Sequence, residues 1–274
     1  VVVDDASTDD CIDRLVASLP QLLDEPNISI KLCRLSEHSG IYRARNEAAY
    51  HATADILFHT DAHVAFCRGW DELVFRHLRP DRILAATIAH EKTSFRGYGC
   101  KLVVPFMGTY WNREMKSETM PVHVAACPGT VLTKELFDDL GGYDEGMLFY
   151  GAGEPELSIR AWLRGAEVVC VRDLTVRHRF KLKDELANFI AGVRPYWVHN
   201  CLRFGLLYLS ELGCMQLLRH HLRLFPNVYP RAIAMVEESD VWERRSMLES
   251  WWRHSFEWFV ERFNLVNQIG DPIL

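Results

Sequence analysis

The chain has 274 residues, 49% of them apolar and 25% charged, a composition that can bury a core and excludes a disordered or fibrous protein. Thirty-one basic residues against thirty-seven acidic ones leave a formal charge of −6, the wrong sign for a surface that grips phosphate backbones, so general nucleic-acid binding is excluded. Eight cysteines stand singly with no C-x-x-C pair, no apolar run approaches the ~20 residues of a transmembrane segment, and no basic leader opens the chain; the expectation is a soluble cytoplasmic protein with reduced thiols.

Val1, Val2 and Val3 read as a buried strand running into the polar stretch Asp4 to Asp10, after which Ile12, Leu15, Val16 and Leu19 recur at helical spacing. A core strand in this position leaves a sheet edge open, so an N-terminal strand is expected to be missing. Ile28, Ile30 and Leu32 alternate as a second strand. Gly40 breaks the pattern, and a helix is expected from about Tyr42 to Thr53, with Arg43, Arg45 and Asn46 in a first turn that favours an anion. The apolar strand Asp55 to His59 runs into Thr60, Asp61, Ala62, His63 and Val64, and a helix follows from about Trp70 to Leu78. This alternation predicts an α/β layered fold with a largely parallel sheet. Ligands of such sheets bind beyond the carboxyl ends of the strands, where Asp4, Asp5, Asp61 and His63 all fall, although one Asp at a strand end is equally well a helix cap.

Asp61 and His63 stand two apart, so in an extended segment both side chains project to one face and can ligate one cation. A carboxylate with an imidazole suits Mn²⁺ or another first-row divalent ion, and His178, after the strand-like runs Val168 to Val171 and Leu174 to Val176, is the expected third ligand. His220 and His221, beside Arg219 and Arg223, are expected on solvated surface. Residues 150–158 form a Gly-rich loop entering a helix, placing Glu154 and Glu156 at its N-terminus, where capping competes with catalysis as their role. Residues 88–124 read as an irregular region able to cover a site. From Asp184 the pattern is helical; a single aromatic helix is expected from about Asp240 to Phe263, with core packing or a homo-oligomer contact as its role. The expected division is residues 1–182 and a helical extension over 183–274.

The segments VVVDDASTDD, GIYRARNEAAYHATADILFHTDAH and LFDDLGGYDEGMLFYGAGEPELSIRAWLRGAEVVCVRDLTVRHRF together resemble the GT-A nucleotide-sugar glycosyltransferases. The resemblance is to glycosyltransferase family 2 and the related polypeptide N-acetylgalactosaminyltransferases, from Val1 to about Phe180. It implies a GT-A, Rossmann-like fold with a helical C-terminal extension. It also implies that Asp5, with Asp4 beside it, lines a uracil pocket and that Arg45, preceded by Arg43, faces the nucleotide. Asp61, His63 and His178 would hold Mn²⁺ (or Mg²⁺), and Gly129 in the Cys127–Thr130 segment would neighbour the donor sugar. In the loop, Gly153 stands where these families carry a Glu, Glu154 where retaining enzymes carry Asn and inverting ones an Asp base, and Glu156 matches the last acid. The implied activity is transfer of a hexose or N-acetylhexosamine from a UDP-sugar to a polypeptide or saccharide acceptor, inverting, with Glu154 as base and Glu156 as second choice. The missing acid at Gly153 keeps a second reading open, a noncatalytic GT-A-like module that binds nucleotide or glycan. A metal hydrolase on the same ligands would leave the Asp4/Asp5 pocket idle.

Overall fold

The valine-rich start forms β1 (Val2–Asp4), and α1 (Cys11–Leu22) carries the chain across to a parallel β2 (Leu32–Arg34). A computed structural model describes residues 1–22 and 27–266. The register runs from Val2↔Leu32 to Asp4↔Arg34, later than the strand expected at Ile28 to Leu32. With β1 so short, only the end of that apolar run finds a partner, and Ile28 is exposed. β1 and β2 make their own two-stranded sheet.

After α2 (Ile41–His51) come β3 (Ile56–His59), β4 (Val64–Phe66), α3 (Trp70–His77) and the central β5 (Arg82–His90). The irregular region is β-rich: β6 (Arg96–Tyr98), a hairpin of β7 (Cys100–Val103) and β8 (Gly108–Trp111), and β9 (Thr119–Pro121). β10 (Thr130–Thr133), α4 (Lys134–Asp139), α5 (Gly153–Arg164) and the long β11 (Glu167–His178) complete the layered part. The main sheet has the order β3-β10-β5-β11-β4, with β6 added on β5 and β9 on β11.

Within it, among the described residues, only β5 and β11 pair in parallel, which corrects the expectation of a largely parallel sheet. Parallel neighbours need a crossover, usually a helix, whereas β10 follows the strands of residues 96–121 and enters from the opposite end. β5 is buried on both faces, hence its unbroken apolar run. Leu84, Ala86 and Ile88 pack in one apolar cluster with Val74 of α3, while Ile83 and Ala85 join the larger cluster with Leu157 and Trp162 of α5.

The last third is helical: α6 (Lys183–Tyr208), α7 (Glu211–Leu224), α8 (Tyr229–Glu237), α9 (Val241–Glu249) and α10 (Phe256–Phe263). α6 packs against α7, α8 and α9, and both α6 and α10 reach α5. The larger apolar cluster continues from Tyr42 and Trp162 to Phe204 and Phe259, so residues on both sides of position 182 share it. The single helix expected over Asp240 to Phe263 is broken at residues 250–255. There the Arg253 and His254 amides donate to the Leu163 carbonyl, at 2.9 and 3.0 Å, and Ser255 caps α10 by accepting from Trp258 N. Phe256 and Phe259 are core residues. His221 is also corrected: it is buried, stacks on Phe106 at 5.4 Å, and burial pushes its imidazole down to about 4. No helix among the described residues is long and apolar enough to cross a membrane.

α6 is tied to the layered part by a buried charge. Arg203 Nε and Nη2 lie 2.7 and 3.1 Å from the two Asp144 oxygens, and the guanidinium attraction outweighs burial to hold the Asp144 carboxyl below its ordinary range. Arg203→Leu strands that carboxylate, so urea denaturation is expected to show a loss of about 3–5 kcal/mol.

Candidate active site

The three expected cation ligands meet where two strands end. β3 stops at His59, and the chain turns through Asp61 and His63 into β4, whose Val64 pairs with His178 at the end of β11. One ligand atom from each of Asp61, His63 and His178 lies within 4.8 Å of the others. His178 Nε2 is 3.3 Å from Asp61 Oδ2, and the His63 and His178 rings are 4.7 Å apart. Burial alone would raise the Asp61 carboxyl, but the His178 hydrogen bond and the Arg45 charge outweigh it and hold it at about 2. Burial and the neighbouring His178 both lower the His63 imidazole. One carboxylate with two imidazoles is a donor set for a first-row divalent ion, and the buried His178 Nδ1 has no hydrogen-bond partner among the described residues. The residues present therefore fit a metal.

A second group abuts the first through Arg45, whose side chain is 9% exposed. Its Nη1 donates to Glu154 Oε1 at 2.7 Å and its Nη2 to Asp61 Oδ1 at 3.0 Å. It also contacts the Cys127 sulfur, and that thiol donates to Asp61 Oδ1 at 3.3 Å. Burial, with Glu154 and Asp61 nearby, keeps Cys127 a thiol well above its ordinary range. Tyr42 Oη donates to Glu154 Oε2 at 3.0 Å and accepts from Gly153 N at 3.0 Å. Helix α2 meets this loop closely: Gly40 has φ 93°, and a Cβ there would lie 2.4 Å from Phe149 Cα, so glycine is required.

The other expected site residues differ in exposure and in what holds them. Arg43 and Arg45 are two apart on a helix and so point roughly 200° apart; Arg43 is exposed and lines a cavity of about 480 Å³ with Leu35, Asn46 and Tyr50, and Asp61 is not part of that lining. Gly129 is tightly packed on β5: its carbonyl accepts from Ala86 N at 2.7 Å, and a Cβ would lie 2.6 Å from Ala86 Cβ. Glu156 is 0% exposed and wholly used inside the protein: Arg160 Nε and Nη2 reach its two oxygens at 3.0 and 2.6 Å, and Tyr208 Oη donates at 2.6 Å. No acceptor can reach it, so the second choice of base is corrected. The Asp4 carboxylate is likewise buried, accepting from Ser7 N at 3.0 Å with Arg34 Nε 3.0 Å away. Asp5 accepts from the backbone amides of Ser39 and Gly40 at 2.7 and 2.8 Å, with His38 Nδ1 at 2.8 Å, so it fastens the entry to α2 while staying 19% exposed.

Sequence reasoning missed Tyr42, His38 and Asn200. Asn200 of α6 accepts from Leu148 N and donates to the carbonyls of Leu148, Tyr150 and Gly151, at 2.7–3.1 Å, pinning the loop that presents Glu154. Its signal was an amide, beside His199 and Arg203, in a mostly apolar helical stretch.

The model of the family described as Glycosyl transferase family 2 matches residues 1–141. Human polypeptide N-acetylgalactosaminyltransferase 9 is 26% identical over 250 residues, covering 85% of this chain and 39% of its own length. An inactive polypeptide N-acetylgalactosaminyltransferase-like protein 5 of Macaca fascicularis is 24% identical over 277 residues, covering 95% of this chain and 59% of its own. This chain thus spans less than two thirds of the length of either relative. Among solved structures, that of GalNAc-T7 with UDP, GalNAc and Mn²⁺ superposes with a TM-score of 0.71 at 19% identity, covering 96% of this chain and 49% of that one, and shares its fold.

Calorimetric titration with Mn²⁺ is expected to show binding that disappears in His178→Ala and persists in Arg43→Ala; equal binding by all three proteins would disprove the assigned ligands. Glu156→Gln is expected to lose about 3–5 kcal/mol of stability by chemical denaturation, as a structural residue does.

Proposed function

The chain belongs to glycosyl transferase family 2, and from that premise we propose that it is a metal-dependent glycosyltransferase. It takes a hexose or N-acetylhexosamine from a UDP-sugar to a polypeptide or saccharide acceptor, with inversion. The observation that carries the proposal is the Arg45 bridge, which joins a carboxylate of the cation cluster to one of the catalytic loop, 3.0 Å on one side and 2.7 Å on the other.

Asp61, His63 and His178 would hold Mn²⁺ (or Mg²⁺), and the bound ion would neutralise charge on a departing diphosphate. The chain's own residues do the rest. Asp5 keeps part of its carboxylate accessible and can accept the imide N–H of uracil. A diphosphate beside Asp61 competes for the Arg45 guanidinium, which frees a Glu154 oxygen for the acceptor hydroxyl. Glu154 then takes the proton from that hydroxyl as it attacks the anomeric carbon. Its side chain is 15% exposed, against 0% for Glu156. The relatives' names support a polypeptide as acceptor.

Gly153 in place of an acid, together with a relative named inactive, supports the second reading, a noncatalytic module that binds nucleotide or glycan. UDP release separates the two. With Mn²⁺ and a panel of UDP-sugars and acceptors, the catalytic reading expects UDP release, and Glu154→Gln is expected to slow it by about 10²–10⁴-fold with UDP affinity nearly unchanged. No release from any donor, with chelator-sensitive UDP binding retained, would establish the module instead.

A further inference from the structure

The loop into α5 has no side chain at Gly153, and the Tyr42 ring occupies the space a Cβ there would take. A Cβ on Gly153 would lie 2.3 Å from Cε1 and 2.4 Å from Cζ of the Tyr42 ring. Tyr42 is 1% exposed, and its ring lies 5.6 Å from that of Tyr143, so it has little room to yield. Its hydroxyl is placed by two contacts, accepting from Gly153 N and donating to Glu154 Oε2, both at 3.0 Å. Arg45 holds the other Glu154 oxygen at 2.7 Å. Tyr42 and Arg45 stand three apart on α2, on one helix face, so a single rigid element grips both oxygens of the carboxylate.

From these contacts we propose that Tyr42 is a positioning residue for Glu154 and that Gly153 is its obligate steric partner. The proposal rests on the reading of Glu154 as the base. A glutamate has three rotatable bonds, and a base displaced by about 1 Å from its reacting atom costs on the order of 10²-fold in rate. Arg45 alone leaves Oε2 free to swing, and it is the contact the diphosphate is proposed to draw away. The tyrosine contact is the one that persists through the reaction. Burial, and then the Glu154 charge, raise the phenol well above its ordinary range, so it remains a donor.

Two experiments on the full chain test this. Tyr42→Phe keeps the ring and removes only the hydroxyl; kcat for UDP release is expected to fall about 10–100-fold while KM for the donor stays within about twofold. An unchanged kcat, or a loss confined to KM, would overturn the positioning role. The second needs no turnover: the fall in Tm caused by Tyr42→Phe is expected to be clearly smaller in a Glu154→Ala background, and Gly153→Ala is expected to lower Tm less when Tyr42 is also replaced by Leu. Additive shifts in both cycles would overturn the proposal. Absence of turnover in the unmodified protein would remove the function proposed above, and the melting cycles would then decide the Tyr42 contacts by themselves.

Discussion

A guanidinium buried between two carboxylates sets the form of this site. Burying Arg45 costs several kcal/mol unless its charge is paired, and it is paired twice, with Asp61 of the cation cluster and Glu154 of the loop. Lysine could not serve in its place, because one ammonium centre cannot address two acceptors with the fixed spread of a planar fork. The geometry of the candidate cation ligands and that of the candidate base therefore depend on each other. Neither carboxylate can shift without leaving a buried charge short of a partner.

The scaffold holds this arrangement from three directions. Strand ends bring Asp61, His63 and His178 together, since β3 and β11 finish on the same side of the sheet and β4 joins them. Asp5 and Gly40 fix the start of α2, so Arg45 and Tyr42 enter at a set angle. The helical third supplies the remaining restraint: Asn200 binds the loop backbone, and Tyr208 completes the Glu156–Arg160 pair at the start of α5. That last pair explains two acids in one helix turn, with Glu156 anchoring the helix and Glu154 facing the site.

Much of this is legible in the residues. A strand ending in Asp-x-His places both side chains on one face whatever surrounds it, so Asp61 and His63 are readable, and His178 follows because it too closes a strand. Other residues depend on partners distant in sequence. Nothing local distinguishes Arg43 from Arg45 before the sheet side of α2 is known, and Glu156 reads as a free carboxylate until Tyr208, in another helix, is seen to meet it. The need for a glycine at position 129 is set by Ala86 on β5, which the local segment does not show. Strand direction is hidden for the same reason, since no feature of Thr130 to Thr133 records the strands of residues 96–121 that turn it antiparallel. The aromatic C-terminal stretch has helical periodicity throughout, yet the Leu163 carbonyl captures two amides and breaks it.

The most direct test is crystallographic: crystals grown with Mn²⁺ and UDP, measured at the manganese absorption edge. The anomalous peak is expected among Asp61, His63 and His178, with the Arg45 guanidinium turned from Glu154 toward the diphosphate and Tyr42 still bonded to the carboxylate. A peak at any other place, or a diphosphate bound while Arg45 remains closed on Glu154, would contradict the shared-arginine site.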